Sequence, residues 1–201
     1  MHHYHVCTKL TAVTIPCHNT VLSAACRIAK AAGSDVYREY RTSFVEFKKK
    51  LVKTNLIPDA AITGVDHKLL IDVSITTPTA KSFMTKDDSK ANSSDRAADY
   101  KFVPTPLFAA ALREKTKREK YAPVAVREMA DFHGLVMESY GAVGPDAMRI
   151  IEVLNNHHKA HAADSNWCLA NWAIRVLSFA LQRGNGQLAF AAFRHDRRGR
   201  V

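Results

Sequence analysis

No apolar run in the sequence approaches the roughly 18 residues that a membrane-spanning helix needs. The most apolar stretch, Cys168 to Leu181, is broken by Asn171 and Arg175. The opening MHHYHVCTKL lacks the basic and apolar regions of a secretory signal. Cysteine is sparse: the four residues at 7, 17, 26 and 168 have no framework spacing, which argues against a disulfide-stapled secreted scaffold and for a reducing, intracellular setting. No internal repeat is visible. Acidic residues are also scarce, 19 against 29 Lys and Arg, and the resulting charge of +10 precedes protonation of any of the 10 histidines.

What is present fits a folded protein. At 201 residues, 47% apolar and 24% charged, the chain can bury a core and is most simply one domain. The positive excess is clustered at Lys48-Lys49-Lys50 with Lys53, at Lys81, Lys86 and Lys90, between Arg113 and Lys120, and at Arg194, Arg197, Arg198 and Arg200. Any one cluster reads as a solvated face, but together they favour a polyanion, nucleic acid first.

Periodicity predicts a helix over 18–32, capped by Asn19 or Thr20 and stopped by Gly33, then a strand over 36–47. Runs 60–64 and 67–76 flank Val65-Asp66, and the second alternates strictly, predicting a hairpin with one buried face. Residues 77–105, with Pro78 and Pro104 and the polar run KDDSKANSSD, read as a long loop. A helix from Leu107 to about Ala130 should kink or restart at Pro123. A buried strand over 134–140 follows, then a helix opened by Gly144-Pro145-Asp146 and reaching about His157. The last helix, Asp164 to Arg183, carries Trp167, Ala170, Ile174, Leu177 and Leu181 at heptad-like spacing and should stop at Gly184. Cys26 and Cys168 fall in apolar helical surroundings and read as core thiols. The result is an α/β sandwich with a small mixed sheet rather than a doubly wound chain. The stripe on the last helix, 164–183, also offers a surface for oligomerisation.

The hairpin carries the sharpest chemistry. With Val65-Asp66 as a two-residue loop, residue i pairs with 131 minus i, setting Asp59 opposite Asp72. Paired Cβ atoms lie about 4.5–5.5 Å apart, where two carboxylates repel unless a cation separates them. Oxygen ligands of this kind suit Mg²⁺ or Mn²⁺, which bind through one or two carboxylates with waters and a substrate phosphate. Ordinary turn chemistry at Pro58-Asp59 and a solvent face at Asp72 form the plainer reading.

Pro58-Asp59 followed by Leu70-Ile71-Asp72-Val73-Ser74 resembles the PD-(D/E)XK nuclease signature, with Ser74 where the signature has lysine. One subgroup takes that lysine from the following helix, with Tyr four residues on: the restriction-like endonuclease domain of non-LTR (LINE-type) retrotransposons. Lys117-Arg118-Glu119-Lys120-Tyr121 matches this pattern, placing Lys117 and Tyr121 on one helical face. Cys17-His18-Asn19, Glu39, Asp72-Val73-Ser74-Ile75 with Pro78, Val136-Met137-Glu138, Gly141-Ala142-Val143-Gly144 and Leu181-Gln182-Arg183-Gly184-Asn185 extend the likeness over roughly residues 15–190.

The resemblance implies a restriction-endonuclease-like α-β-β-β-α-β core with added C-terminal helices, and a chain divided into a His-rich terminus (1–14), a nuclease domain (15–190) and a basic tail (191–201). It further implies metal-dependent hydrolysis of DNA, with Asp59 and Asp72 holding the metal and Lys117 orienting water or stabilising the transition state. Tyr121 would hydrogen-bond the lysine or a phosphate, Lys115 and Lys120 are reserve lysines, and Glu39 is a further acid near the metal. His18 and Asn19 either cap the first helix or contact DNA phosphates, alongside Lys48, Lys49, Lys50, Arg113 and Lys120. A retroelement product would act in the nucleus. With no reverse transcriptase and no complete zinc knuckle in the sequence, a fragment, remnant or separated module is expected, and His2, His3, His5 and Cys7 fit no standard zinc set. A stand-alone restriction or resolvase-like nuclease and a decayed domain that binds DNA without cutting it are the alternatives.

Overall fold

The computed structural model describes residues 11–39, 56–78, 84–86, 100–102, 106–162 and 167–198. Lys48, Lys49, Lys50, the N-terminal histidines and most of the strand predicted over 36–47 lie outside them.

Helix α1 (Thr11–Ala31) leads into β1 (Asp35–Arg38), followed by β2 (Ala60–Thr63) and β3 (Leu69–Thr76). A separate two-stranded sheet, β4 (Met84–Lys86) with β5 (Tyr100–Phe102), precedes α2 (Phe108–Arg127), β6 (Asp131–Glu138), α3 (Pro145–His161) and α4 (Leu169–Arg198). The main sheet runs β1-β2-β3-β6, antiparallel as far as β3, with β6 parallel to β3. The parallel step needs a crossover, which α2 supplies. The protein is thus mixed α/β with a small mixed sheet.

Alternation along the strands sorts side chains between two cores. Ile62, Leu69, Ile71, Val73, Leu135 and Met137 meet α1, α3 and α4, while Ala61, Leu70 and Phe132 meet Tyr121 of α2. This corrects the one-faced hairpin: β3 is covered on both sides. A polar residue on its α2 face therefore needs a partner from that helix, the circumstance of Asp72.

Other predicted boundaries also move. Helix α1 begins at Thr11 and runs through Pro16, well before the expected cap, and ends as predicted where Gly33 takes a φ of 89°. Segment 77–105 is not all loop, since β4 pairs with β5 within it. Pro123 neither stops nor restarts α2. Helix α3 continues past His157 to His161. Cys168 is exposed, unlike the buried Cys17 and Cys26, and Trp167 is also exposed.

The largest difference is at Gly184, which α4 passes through on its way to Arg198. A Cβ there would stand 2.9 Å from both Cα and Cβ of Cys17 and closer still to its sulfur. The glycine permits α1 and α4 to touch and does not stop the helix. Gly184→Ala should destabilise the protein by about 1–3 kcal/mol through overpacking, although alanine is favoured by about 1 kcal/mol within a helix. Gly186, with nothing within 4 Å of its added Cβ, should show the propensity gain alone. Urea denaturation of the two alanine variants checks the opposite signs.

Candidate active site

The registers Ala60↔Ile71, Ala61↔Leu70 and Ile62↔Leu69 all sum to 131, as predicted, although the loop spans 64–68 instead of two residues. Continued by one step, this ladder sets Asp59 against Asp72. The Asp59 Oδ2 accepts the Val73 N–H at 2.7 Å, fixing the carboxylate to the neighbouring strand. The same oxygen lies 2.9 Å from Nε2 of His18. His18 is therefore neither a helix cap nor simply a surface group: it sits inside α1, one wall of the site. The hydrogen bond with Asp59 pushes its pKa up against the opposing effect of burial. Its Nδ1 lies 3.2 Å from Oδ1 of Asn19, whose predicted capping role lapses because the helix begins earlier.

Asp72 is buried against α2. Lys117 Nζ donates to its Oδ2 in a close ion pair, and Tyr121 donates to its Oδ1 at 2.9 Å. The Tyr121 hydroxyl also lies 3.3 Å from the Ile57 carbonyl, and its ring stacks on Phe132 at 4.5 Å. The Tyr121 hydroxyl thus meets the acid and a backbone carbonyl, where the sequence pointed to the lysine or a phosphate. Burial lowers the Lys117 amine to about 8, with Asp59 opposing the shift and Lys120 adding to it. Burial likewise pushes the Tyr121 hydroxyl up to about 12, so it acts as a donor near neutral pH.

The rotation of α2 decides which lysine enters the site. One helical turn to the side, Glu114 accepts the Asp146 N–H at 3.0 Å, and Arg118 donates to both Asp146 oxygens at 2.6 Å. These i and i+4 contacts lock α2 onto the start of α3 and turn the next pair, Lys117 and Tyr121, toward Asp72. Lys115 and Lys120 point outward, with Lys120 5.4 Å from the Tyr121 ring centre.

Burial raises the Glu114 carboxyl from 4.5 to about 7. Its folded form holds a proton that the unfolded chain has released, so this group makes stability fall as pH rises from 4.5 toward 7. The local slope reaches about 1.4 kcal/mol per pH unit. Glu114→Gln should remove that component, as denaturation midpoints of both proteins across this range will register.

An open cleft of about 330 Å³ lies beside the site, lined by His18, Ser74, Arg113 and Lys117 together with apolar Ile15 and Leu188. Arg113 donates to Ser74 Oγ at 3.3 Å. The serine in the signature's lysine position thus anchors an exposed arginine at the cleft. Both carboxylates lie one contact behind this lining, hydrogen-bonded to His18 and Lys117. Glu39 stands beside Asp59 through backbone, donating its N–H to the Asp59 carbonyl at 2.8 Å with a φ of 46°; its side chain is exposed.

Two aligned carboxylates offer hard oxygen donors suited to Mg²⁺ or Mn²⁺, whose remaining positions water and phosphate can fill. Among the described residues there is no cluster of three or more His, Cys, Asp or Glu that could hold a metal. The other quoted segments have scaffold roles. Cys17 packs on Gly184, Asn185 donates to the Ser139 carbonyl at 2.8 Å, and Gly144 sits where a Cβ would come within 2.9 Å of the Val136 carbonyl. The sequence reading missed the Glu114–Arg118–Asp146 lock, whose only signal is two charged residues four apart on a helix.

The fold and site define a mixed α/β protein with an acid pair and a buried lysine behind a basic cleft. No protein-family model matches the chain, and the search of curated proteins found no match. No helix among the described residues is long and apolar enough to cross a membrane.

Proposed function

We propose that the protein is a metal-dependent DNA endonuclease of the PD-(D/E)XK type, similar to the endonuclease domain of LINE-type retrotransposons. The observation carrying this reading is the Lys117–Asp72 ion pair between α2 and β3, with Asp59, just ahead of β2, accepting the N–H of the adjacent Val73. The element order α-β-β-β-α-β, with its minor two-stranded insertion, supports the same reading. The +10 charge provides the attraction to DNA.

Asp59 and Asp72 would hold Mg²⁺ or Mn²⁺, which when bound lowers the pKa of a water ligand and neutralises charge on the phosphoryl oxygens. The Val73 N–H and His18 keep the Asp59 carboxylate oriented. Tyr121 fixes Asp72. Lys117, which sits against Asp72, would stabilise the negative charge that grows on the phosphate. Arg113 at the cleft holds a backbone phosphate. Water oxygen forms a bond to phosphorus and gives a proton to solvent, the phosphodiester P–O bond breaks, and the leaving alkoxide takes a proton from solvent.

Nicking of supercoiled plasmid tests the reading. The wild type should relax the plasmid in Mg²⁺ and not in EDTA, and Asp59→Asn should lower the rate by at least about 10²-fold, the scale of losing one such electrostatic group. Equal nicking by wild type and variant would defeat the assignment. DNA retention without cleavage in Mg²⁺ or Mn²⁺ would favour a binding domain.

A further inference from the structure

Helices α1 and α4 run antiparallel, since Cys17 meets Gly184 at one end and Arg27 meets Trp172 at the other. Between them, separate from the cleft at Lys117, lies an open groove of about 530 Å³. Its walls are two helical stripes, Asn19-Ser23-Arg27 on α1 and Phe179-Arg183-Gln187 on α4, each running i, i+4, i+8. Each stripe is about 12 Å long at the helical rise. The floor contains Ala24, Val176 and Ala180, with the alanines small enough to leave the trough open, and among the described residues no carboxylate lines it.

Phe179 is 72% exposed in this trough. A lone exposed aromatic is unremarkable, but this one has Arg183 a turn further along its helix and Arg27 across the groove. The Arg27 guanidinium is already placed, 5.7 Å from the Trp172 ring centre. We infer that the groove binds an unpaired nucleic-acid strand, with Phe179 stacking on a base and Arg27 and Arg183 holding the flanking phosphates. Two arginines, with no carboxylate among the described residues of the lining to oppose them, favour a polyanion over a protein helix. A duplex keeps its base faces stacked on one another, so only an unpaired base can offer one to Phe179. The inference needs none of the chemistry at Asp59, Asp72 and Lys117.

Fluorescence anisotropy in EDTA, with short oligo(dT), oligo(rU) and a duplex of equal length, tests the inference without cleavage. Phe179→Ala should weaken binding of at least one single strand by roughly 5- to 100-fold, the range for losing one stacked base, and leave duplex affinity unchanged. Phe179→Tyr should restore it. Arg183→Gln should weaken the same complex and reduce its salt slope by about one. Comparing the two oligonucleotides identifies the sugar. Single-strand affinity equal to wild type in Phe179→Ala, or a parallel loss for duplex, would overturn the assignment. Asp59→Asn should bind single strands normally, so a failure of the nuclease reading stays distinguishable. The exposed position of Phe179 lets the variants fold, which thermal melts verify.

Discussion

Asp72→Ala is expected to destabilise the protein by about 3–5 kcal/mol at neutral pH, the usual cost of leaving a buried charge without its partner. Lys117 and Asp72 have only 13% and 11% side-chain exposure, so water replaces little of what is lost. Tyr121 loses its acceptor at the same time. The amine can respond by releasing its proton, since burial already holds it near 8. The unfolded chain keeps that proton up to about 10.4. Over that window the unfolded state binds more protons, so the variant should gain stability as pH rises from about 8 toward 10. The double variant Asp72→Leu with Lys117→Met removes both charges and should recover most of the loss. Urea denaturation of the wild type, Asp72→Leu, Lys117→Met and their double variant forms a double-mutant cycle. A single variant within 0.5 kcal/mol of wild type would mean that the pair is solvated and unimportant.

Lys117→Met separates two effects that Asp72→Ala combines. Lys117 occupies the carboxylate oxygen that a divalent cation would use, so its removal should raise Mn²⁺ affinity severalfold. Nicking should nevertheless fall by about 10²–10³-fold, because the reacting phosphate then loses the α2 cation that sits against Asp72, while Arg113 holds only a flanking phosphate. Tighter metal binding with lost turnover is a signature that simple unfolding cannot produce. Paired Mn²⁺ binding and plasmid-nicking measurements check it. Full activity in Lys117→Met would remove the lysine from the mechanism.

The register of the acid pair was legible because an antiparallel ladder keeps a constant pair sum when a loop widens evenly. The sum of 131 survives a loop broader than Val65-Asp66. Lys117 and Tyr121 were picked out by the resemblance to the LINE-type endonuclease pattern, and their spacing places them on one helical face. Choosing Lys117 over Lys115 and Lys120 depended on Asp146, which is distant in sequence and docks α2 by contacts without a local pattern. His18 was misread for a related reason: its local context suggests a cap, while its partner Asp59 is 41 residues away. Gly184 shows the same limit from the packing side. Glycine ends isolated helices readily, and only the approach of Cys17 reveals that this one permits a crossing.

The sharpest test is Mn²⁺ binding by the DNA-loaded protein, followed through the electron paramagnetic resonance signal of the free ion. One Mn²⁺ should bind per chain, be displaced by Mg²⁺ and be lost in both Asp59→Asn and Asp72→Asn, with both variants still retaining DNA. Undiminished binding of that ion in either variant would contradict a metal held by the acid pair.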